Sequence, residues 1–326
     1  YTLLDNRSIS VSEPAQTLDQ AGLGTLEAPY VDELIIAYEM QLAPQTSLEL
    51  TYVDKEMEEI VEDTCSGNAW IYDSSVPLPS LDDPSTWTSD CSFWLIANIP
   101  MFTRKYDGYI AKFESRQESF HFLASYTFSD SRGTNISGPR HYAYGDADFF
   151  PVNYYNMFGK LSDHREHRIK LNGYWLLPHD ITVGFDGFWS SEGHMTPYAN
   201  CGAFGTALTN PNAIEQLEGL GVDPDIYQYC NPSYDINLVP RGSVKTKSVW
   251  QLDLQFSKGF QVGDVQLTGI VTVQNVFDRE LDSTFNSQAF RVEGEDELGN
   301  DVYTPIGAAL TYWLPRRYEL GFRVEF

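Results

Sequence analysis

The chain has 326 residues, with 46 acidic against 21 basic side chains and a net charge of −25. That balance excludes nucleic acid as an expected partner, because binding a phosphate backbone needs basic surface. Mean hydropathy is −0.32 and no run of about 18 apolar residues occurs, which excludes a transmembrane helix but not a spanning β-strand, apolar only at alternate positions.

Taken in chain order, nine segments show period-two alternation. They lie near 32–42, 46–57, 105–115, 118–129, 165–177, 180–191, 248–258, 264–277 and 316–326. In the first, Leu34, Ile36, Tyr38 and Met40 oppose Glu33 and Glu39; in the second, Leu48, Leu50 and Tyr52 oppose Glu49 and Thr51. The third, around Tyr109–Phe113, is the least regular. Phe120, Phe122, Ala124, Tyr126 and Phe128 oppose His121, Ser125 and Thr127 in the fourth. Ile169, Leu171 and Trp175 share a face, as do Ile181, Val183, Phe185 and Trp189. Trp250, Leu252, Leu254 and Phe256 oppose Gln251, Asp253, Gln255 and Ser257, and Val265, Leu267, Val271 and Val273 continue the pattern. In the last, Tyr318, Leu320, Phe322, Val324 and Phe326 alternate with Arg317, Glu319, Gly321, Arg323 and Glu325.

Connection lengths separate a membrane barrel from a soluble sandwich, since both would show such alternation. Short connections hold Pro44-Gln45-Thr46, Arg116-Gln117, Pro178-His179 and Gln261-Val262-Gly263, and they alternate with long ones at about 58–104, 130–164, 192–247 and 278–315. Short periplasmic turns and long extracellular loops are the pattern of outer-membrane barrels, and a sandwich has no reason to put every long connection at one end. The expected fold class is therefore all-β, a transmembrane antiparallel β-barrel in the bacterial outer membrane.

Two stretches carry a family resemblance. Val273 to Glu280, read VQNVFDRE, and Pro315 to Phe322, read PRRYELGF, resemble the closing hairpin of TonB-dependent outer-membrane receptors. Asp32-Glu33-Leu34 with Ala37 to Met40 (AYEM), running on to Glu62-Asp63, resembles the Oar-like branch, whose members carry an N-terminal carboxypeptidase-regulatory-like domain. So do Tyr106 to Tyr109 (YDGY), Ala124 to Ser129 (ASYTFS), Gly159 to His164 (GKLSDH) and Ser190 to Gly193 (SSEG). The closing Glu319-x-Gly321-x-x-Val324-x-Phe326 looks like the signal read by the outer-membrane barrel-insertion machinery, an edge strand ready for β-augmentation.

The resemblance covers roughly residues 30–326. It implies a barrel of about 22 strands around a plug, energised by TonB through a short N-terminal box. On that reading residues 1–31 are the tail of an extracellular loop and 32–326 the C-terminal part of the barrel. Bacterial single-chain barrels have even strand numbers. Nine strands are thus expected to pair at both edges with about 13 more, supplied with the plug by a second polypeptide or an N-terminal part. The sequence opens at Tyr1 with no leader segment, which fits a processed chain or one lacking its N-terminal region.

Cys65 and Cys91 fall in one long connection, Cys201 and Cys230 in another, with no zinc spacing. An extracellular position is oxidising, so two local disulfides, Cys65–Cys91 and Cys201–Cys230, are expected, each worth roughly 3–4 kcal/mol in the chain-entropy model.

Acidic residues gather in two places: Asp54, Glu56, Glu58, Glu59, Glu62, Asp63, Asp73, Asp82, Asp83 and Asp90 against Lys55, and Glu293, Glu295, Asp296, Glu297 and Asp301. Such runs are usually solvated faces. The sharper alternative is Ca²⁺ or Mg²⁺ held by carboxylates, with Glu295, Asp296, Glu297 and Asp301 as the best set, bridging to lipopolysaccharide phosphates.

Asn210–Leu220, with an Asn N-cap and Pro at the first helical position, predicts a short helix. The loop aromatics Trp70, Tyr72, Trp87, Phe93 and Trp94 either pack the loop or contact a ligand. His121, His141, His164, His167, His179 and His194 are scattered, and no catalytic motif occurs. His164, Glu166 and His167 suggest a metal site only if they converge.

The function expected is TonB-driven uptake of a scarce nutrient, such as a metal chelate, peptide or oligosaccharide, with no enzymatic role and no fixed cofactor. A non-transporting surface scaffold of the same fold is the alternative. A secreted β-sandwich binder is the third reading.

Overall fold

A computed structural model describes residues 16–88, 91–134 and 149–326. Nine long strands form one antiparallel meander in sequence order. They are β1 (Tyr30–Ala43), β2 (Thr46–Glu58), β3 (Arg104–Arg116), β4 (Phe120–Gly133) and β5 (His167–Leu177), followed by β6 (Ile181–Ser190), β7 (Val249–Val262), β8 (Val265–Gln274) and β9 (Arg317–Glu325). All nine strands read from the alternation are present. β4 and β7 run four residues past the predicted ends at 129 and 258. In β4 the extra residues Asp130–Gly133 pair with Arg104–Asp107 of β3. Polar side chains there end the alternation that the sequence reading relied on, while backbone pairing continues.

Register turns the alternation into two faces. One unbroken row of directly opposed residues runs Tyr38, Leu50, Ala111, Tyr126, Ile169, Trp189 and Trp250 across β1 to β7. The next row, on the other face, runs Glu39, Glu49, Lys112, Ser125, Lys170, Phe188 and Gln251. The apolar face continues through Leu254, Val273 and Tyr318, then Phe256, Val271 and Leu320. Because the side-chain period is two, a one-residue slip would exchange the faces entirely, so this apolar band fixes the register.

The turns between strands are tight at one end. Pro44-Gln45 joins β1 to β2, and Gln45 takes a left-handed φ of 56° after the proline, as a type II turn requires. Gly263 at φ 66° opens the two-residue β7–β8 turn Gly263-Asp264, where the sequence pattern places the connection at Gln261-Val262-Gly263.

At the other end the long connections fold into structure of their own. The 59–103 connection contains a small sheet in which Val61–Cys65 pairs with Trp94–Asn98, and Gln16–Thr17 adds a parallel third strand. The 191–248 connection contains two helices, α1 (Cys201–Ala207) and α2 (Pro211–Leu220). α2 is the helix expected from the sequence: Asn210 caps it by accepting from the Asn212 N–H, and Gly221 ends it at φ 70°. The connection after β8 makes two hairpins, Asp282–Phe285 with Ala309–Tyr312 and Val292–Glu295 with Asp301–Tyr303.

The packed core lies in these connections and not in the sheet. Among the described residues, Val53 is the only buried apolar side chain on the nine strands. One cluster joins Ile60, Trp70, Leu95, Phe102, Phe150 and Tyr154; another joins Val152, Phe204, Leu217, Ile226, Ile236 and Ala289. Residues from all four connections contribute, so the loops pack on one another as a cap. The sheet meanwhile presents Leu320 (76% exposed) and Phe322 (86%) on its apolar face. A contiguous apolar surface of this extent is stable only against lipid or another protein surface.

Candidate functional site

The cap is stapled where the sequence predicts. Cys65 is disulfide-bonded to Cys91 and Cys201 to Cys230, with Cα separations of 5.1 and 5.3 Å. Cys201 opens α1 and Cys230 follows the 3₁₀ turn Pro224–Tyr229, so the second bridge closes the helical unit on itself.

Hydrogen bonds then tie the connections together. Asn210 Nδ2 and Asn212 Nδ2 both donate to the Asp301 carbonyl, at 3.0 and 2.9 Å. Gln216 donates to the Thr304 carbonyl and accepts from the Phe290 N–H. Thr88 and Phe150 are joined twice, through the Thr88 N–H and the Thr88 hydroxyl.

The loop aromatics pack this cap. Trp70 meets Tyr154 edge-on at 5.6 Å, Trp87 lies 5.7 Å from Tyr229, Trp94 meets Phe149, and the Tyr72 hydroxyl donates to the Ser66 carbonyl. Phe93 is the exposed member of the set.

The acidic segments are built into turns. Asp296 accepts from the Leu298 and Asn300 N–H groups and from Asn300 Nδ2, which holds the tip of the Glu295–Asp301 hairpin. The Asn300 bonds hold its carboxyl below the usual range. Asp73 and Asp83 do the same for Ser75 and Ser85, and each is likewise lowered by those bonds. Among the described residues no three His, Cys, Asp or Glu side chains converge on a cation position, and Glu295, Asp296, Glu297 and Asp301 are not brought together as a set. Asp90 and His141 lie outside the described residues.

His164, Glu166 and His167 do not converge either. His167 sits on the apolar face, with its Nδ1 2.9 Å from the Tyr126 hydroxyl. His164 is buried beneath the cap, where its Nδ1 accepts the Ser131 N–H at 3.0 Å and its ring lies 4.8 Å from that of His194. Burial first, and then the nearby Lys160 charge, lower the His164 pKa to about 4. Burial also lowers that of His194, whose Nδ1 lies 2.6 Å from the Gly242 carbonyl.

The residues of the expected insertion signal occupy β9. Val324 lies on its apolar face and Phe326 just beyond the strand, while Glu319 and Gly321 lie on the opposite face, paired with Thr272 and Ile270.

The polar face carries what sequence reasoning missed. Beneath the cap lies a cavity of about 620 Å³ whose wall includes Lys55, Arg104, Arg165, Arg168 and Lys170, with Asp163 as its one carboxylate. At the turn end a second hollow of about 790 Å³ is lined by Glu39, Glu114 and Glu118, with Arg116 its one base. The charge of the wall thus changes sign along the strands. These cations come from β2, β3 and β5 and from the approach to β5. Alternation parity places Lys55, Arg104, Arg168 and Lys170 on the polar face, but only the folded sheet brings them to one cavity, together with Arg165 from outside the strand.

No family model and no curated protein matches the chain. Solved structures do. It is similar to the ferripyoverdine receptor of the outer membrane of Pseudomonas aeruginosa bound to ferripyoverdine, at 15% identity and TM-score 0.46, over 95% of this chain and 28% of that one. It is similar to the outer membrane transporter YddB from Escherichia coli, at 13% identity and TM-score 0.49, over 91% and 32%. A third is the siderophore receptor PiuA from Acinetobacter baumannii, at 11% and 0.44, over 90% and 28%. The chain therefore spans about a third or less of the length of these structures.

The lipid-type apolar band, the polar opposite wall and the one-sided loops together define the class: a transmembrane antiparallel β-barrel of the bacterial outer membrane, here as nine consecutive strands.

Proposed function

We propose that the chain is the C-terminal barrel segment of a TonB-dependent receptor that imports a scarce nutrient across the outer membrane. The supporting observation is the pairing of an apolar outer face with a charged inner wall that leads from a cavity beneath a folded extracellular cap. A scaffold that only displays loops needs no such graded inner wall.

β1 and β9 each hydrogen-bond to a strand on one side only among the described residues. Hydrocarbon cannot satisfy the open backbone groups of those edges. Strands of the remaining barrel would cover both edges, with the plug inside and TonB contacted from the plug's side. Lipid and lipopolysaccharide would cover the apolar face.

The test is uptake by cells expressing the full-length receptor, with TonB intact and with TonB deleted. Nutrient-limited growth or tracer accumulation that depends on both receptor and TonB supports the proposal. Accumulation unchanged by TonB deletion overturns it.

A further inference from the structure

We propose that the cavity beneath the cap is a binding site for a small polyvalent anion, one carrying at least two phosphate or carboxylate groups, held by Arg165, Arg168 and Lys170 with the hydroxyls of Ser125 and Thr127. The inference names the ligand class of the receptor proposed above and rests on that reading for its biological use.

Charge supplies the first argument. Acids outnumber bases by 46 to 21 in the chain, yet this wall concentrates bases. Some are neutralised locally: Lys55 pairs with Glu33 at 2.6 Å, Lys105 with Glu56 at 2.5 Å, and Arg104 with Asp163 at 3.5 Å. Among the described residues Arg165, Arg168 and Lys170 form no ion pair with a carboxylate. Arg165 Nη1 donates to the Thr246 hydroxyl at 3.3 Å, and Arg168 Nη2 donates to the Asp163 carbonyl at 2.7 Å. Both therefore keep guanidinium N–H groups for another acceptor. Gathering like charges against a low-dielectric wall is unfavourable until an anion joins them. Consistently, burial and then the Arg168 charge lower the pKa of Arg165.

Geometry supplies the second. Lys170 lies directly opposite Ser125, and Arg168 directly opposite Thr127, across the β4–β5 pair. Opposed residues on one face stand about 5 Å apart and successive ones on a strand about 7 Å. The four side chains thus form a small rectangle that presents two cation–hydroxyl pairs side by side. Each pair suits one oxyanion: hydroxyls donate single hydrogen bonds, a guanidinium fork takes two oxygens of a phosphate or carboxylate, and an ammonium adds a point charge. Two such pairs, with Arg165 beside them, select a ligand with two anionic groups over one with a single charge. Neutral sugars would leave the cations unpaired. The acidic hollow at the turn end gives the wall its other sign, so an anion is held near the extracellular side.

The experiment is isothermal titration of the full-length receptor, purified in detergent, with inorganic pyrophosphate and with citrate, and with maltose as the neutral control. Saturable binding of at least one anion and none of maltose is expected. The Arg168→Gln/Lys170→Gln variant should weaken that binding at least about tenfold, as expected for loss of charge-assisted contacts. Ser125→Ala/Thr127→Ala should weaken it less and without changing charge, which guards against a charge variant that fails to fold. Arg116→Gln, in the acidic hollow at the turn end and paired with Glu114, should leave it unchanged. Failure of both anions to bind wild-type receptor, or equal affinity in the Arg168/Lys170 variant, overturns the proposal. TonB-independent uptake alongside intact pyrophosphate or citrate binding would sink the transport reading and leave this site standing.

Discussion

Replacing Leu254 by Arg should cost the membrane-inserted protein about 2–4 kcal/mol, whereas Gln255→Arg, one residue along, should cost less than about 1 kcal/mol. The contrast follows from depth and face. β7 has 14 residues. At about 3.3 Å per residue and a tilt of about 40°, it stands about 35 Å tall, so the apolar band of about 25 Å lies well within it. Leu254 is the sixth residue and sits about 4 Å from mid-height, opposed by Phe185 and Val273 with no carboxylate on that face to receive a cation. Leu252 is about 9 Å from mid-height, so Leu252→Arg should cost roughly 1–2 kcal/mol, as snorkelling shortens the charge's path to water. Gln255 points to the inner wall, opposite Thr272 and bonded to it at 3.2 Å. The measurement is urea-dependent folding of the full-length receptor into lipid vesicles, read by heat-modifiable gel mobility. Equal costs for Leu254→Arg and Gln255→Arg would refute the assignment of faces, and with it the barrel.

Leu217→Ala, which opens a cavity in the cap core between α2 and its neighbours, should cost about 3–5 kcal/mol of cap stability; limited proteolysis should then cut the 191–248 connection while the strands stay protected. Cys201→Ser with Cys230→Ser removes a bridge spanning 29 residues, and the chain-entropy model gives a loss of about 3.6 kcal/mol, measurable as a lower unfolding midpoint of the cap. His164 is depressed to about 4 in the folded cap from an ordinary value of 6.5, so the unfolded form binds the extra proton between those values. Cap stability should be unaffected by this group above pH 6.5 and fall by on the order of 2–3 kcal/mol as pH drops from 6.5 to 4. His164→Gln should flatten that segment of the pH profile in hydrogen exchange, and an unchanged slope would show that His164 is not its source.

Strand positions were legible because each carries its own two-residue signal: Leu252, Leu254 and Phe256 need no distant partner to declare a lipid-facing row. The α2 helix was legible for a similar reason, since Asn210, Pro211 and Gly221 supply start and stop locally. α1 was not anticipated; it is seven residues long and is held by the Cys201–Cys230 bridge and the burial of Phe204 more than by its own periodicity. The loop aromatics left two readings open in the sequence, and Trp70, Trp87 and Trp94 resolve them by packing against Tyr154, Tyr229 and Phe149 from other connections. Carboxylate runs also look alike in sequence whether they bind a cation or a turn. Asp296, Asp73 and Asp83 are spent on backbone N–H groups and hydroxyls two to four residues away.

The sequence by itself determined which residues face lipid, which end carries the loops and which cysteines pair, because alternation, connection length and loop-internal closure are all local properties of the chain. Only the tertiary structure decided that the four loops pack on one another around two clusters as one cap, and that Arg165, Arg168 and Lys170 stand beside Ser125 and Thr127 under it. Those relations depend on the β4–β5 register and on contacts between segments far apart in sequence. Alternation states only which face a side chain takes, whereas neighbouring height across strands is set by which backbone hydrogen bonds form.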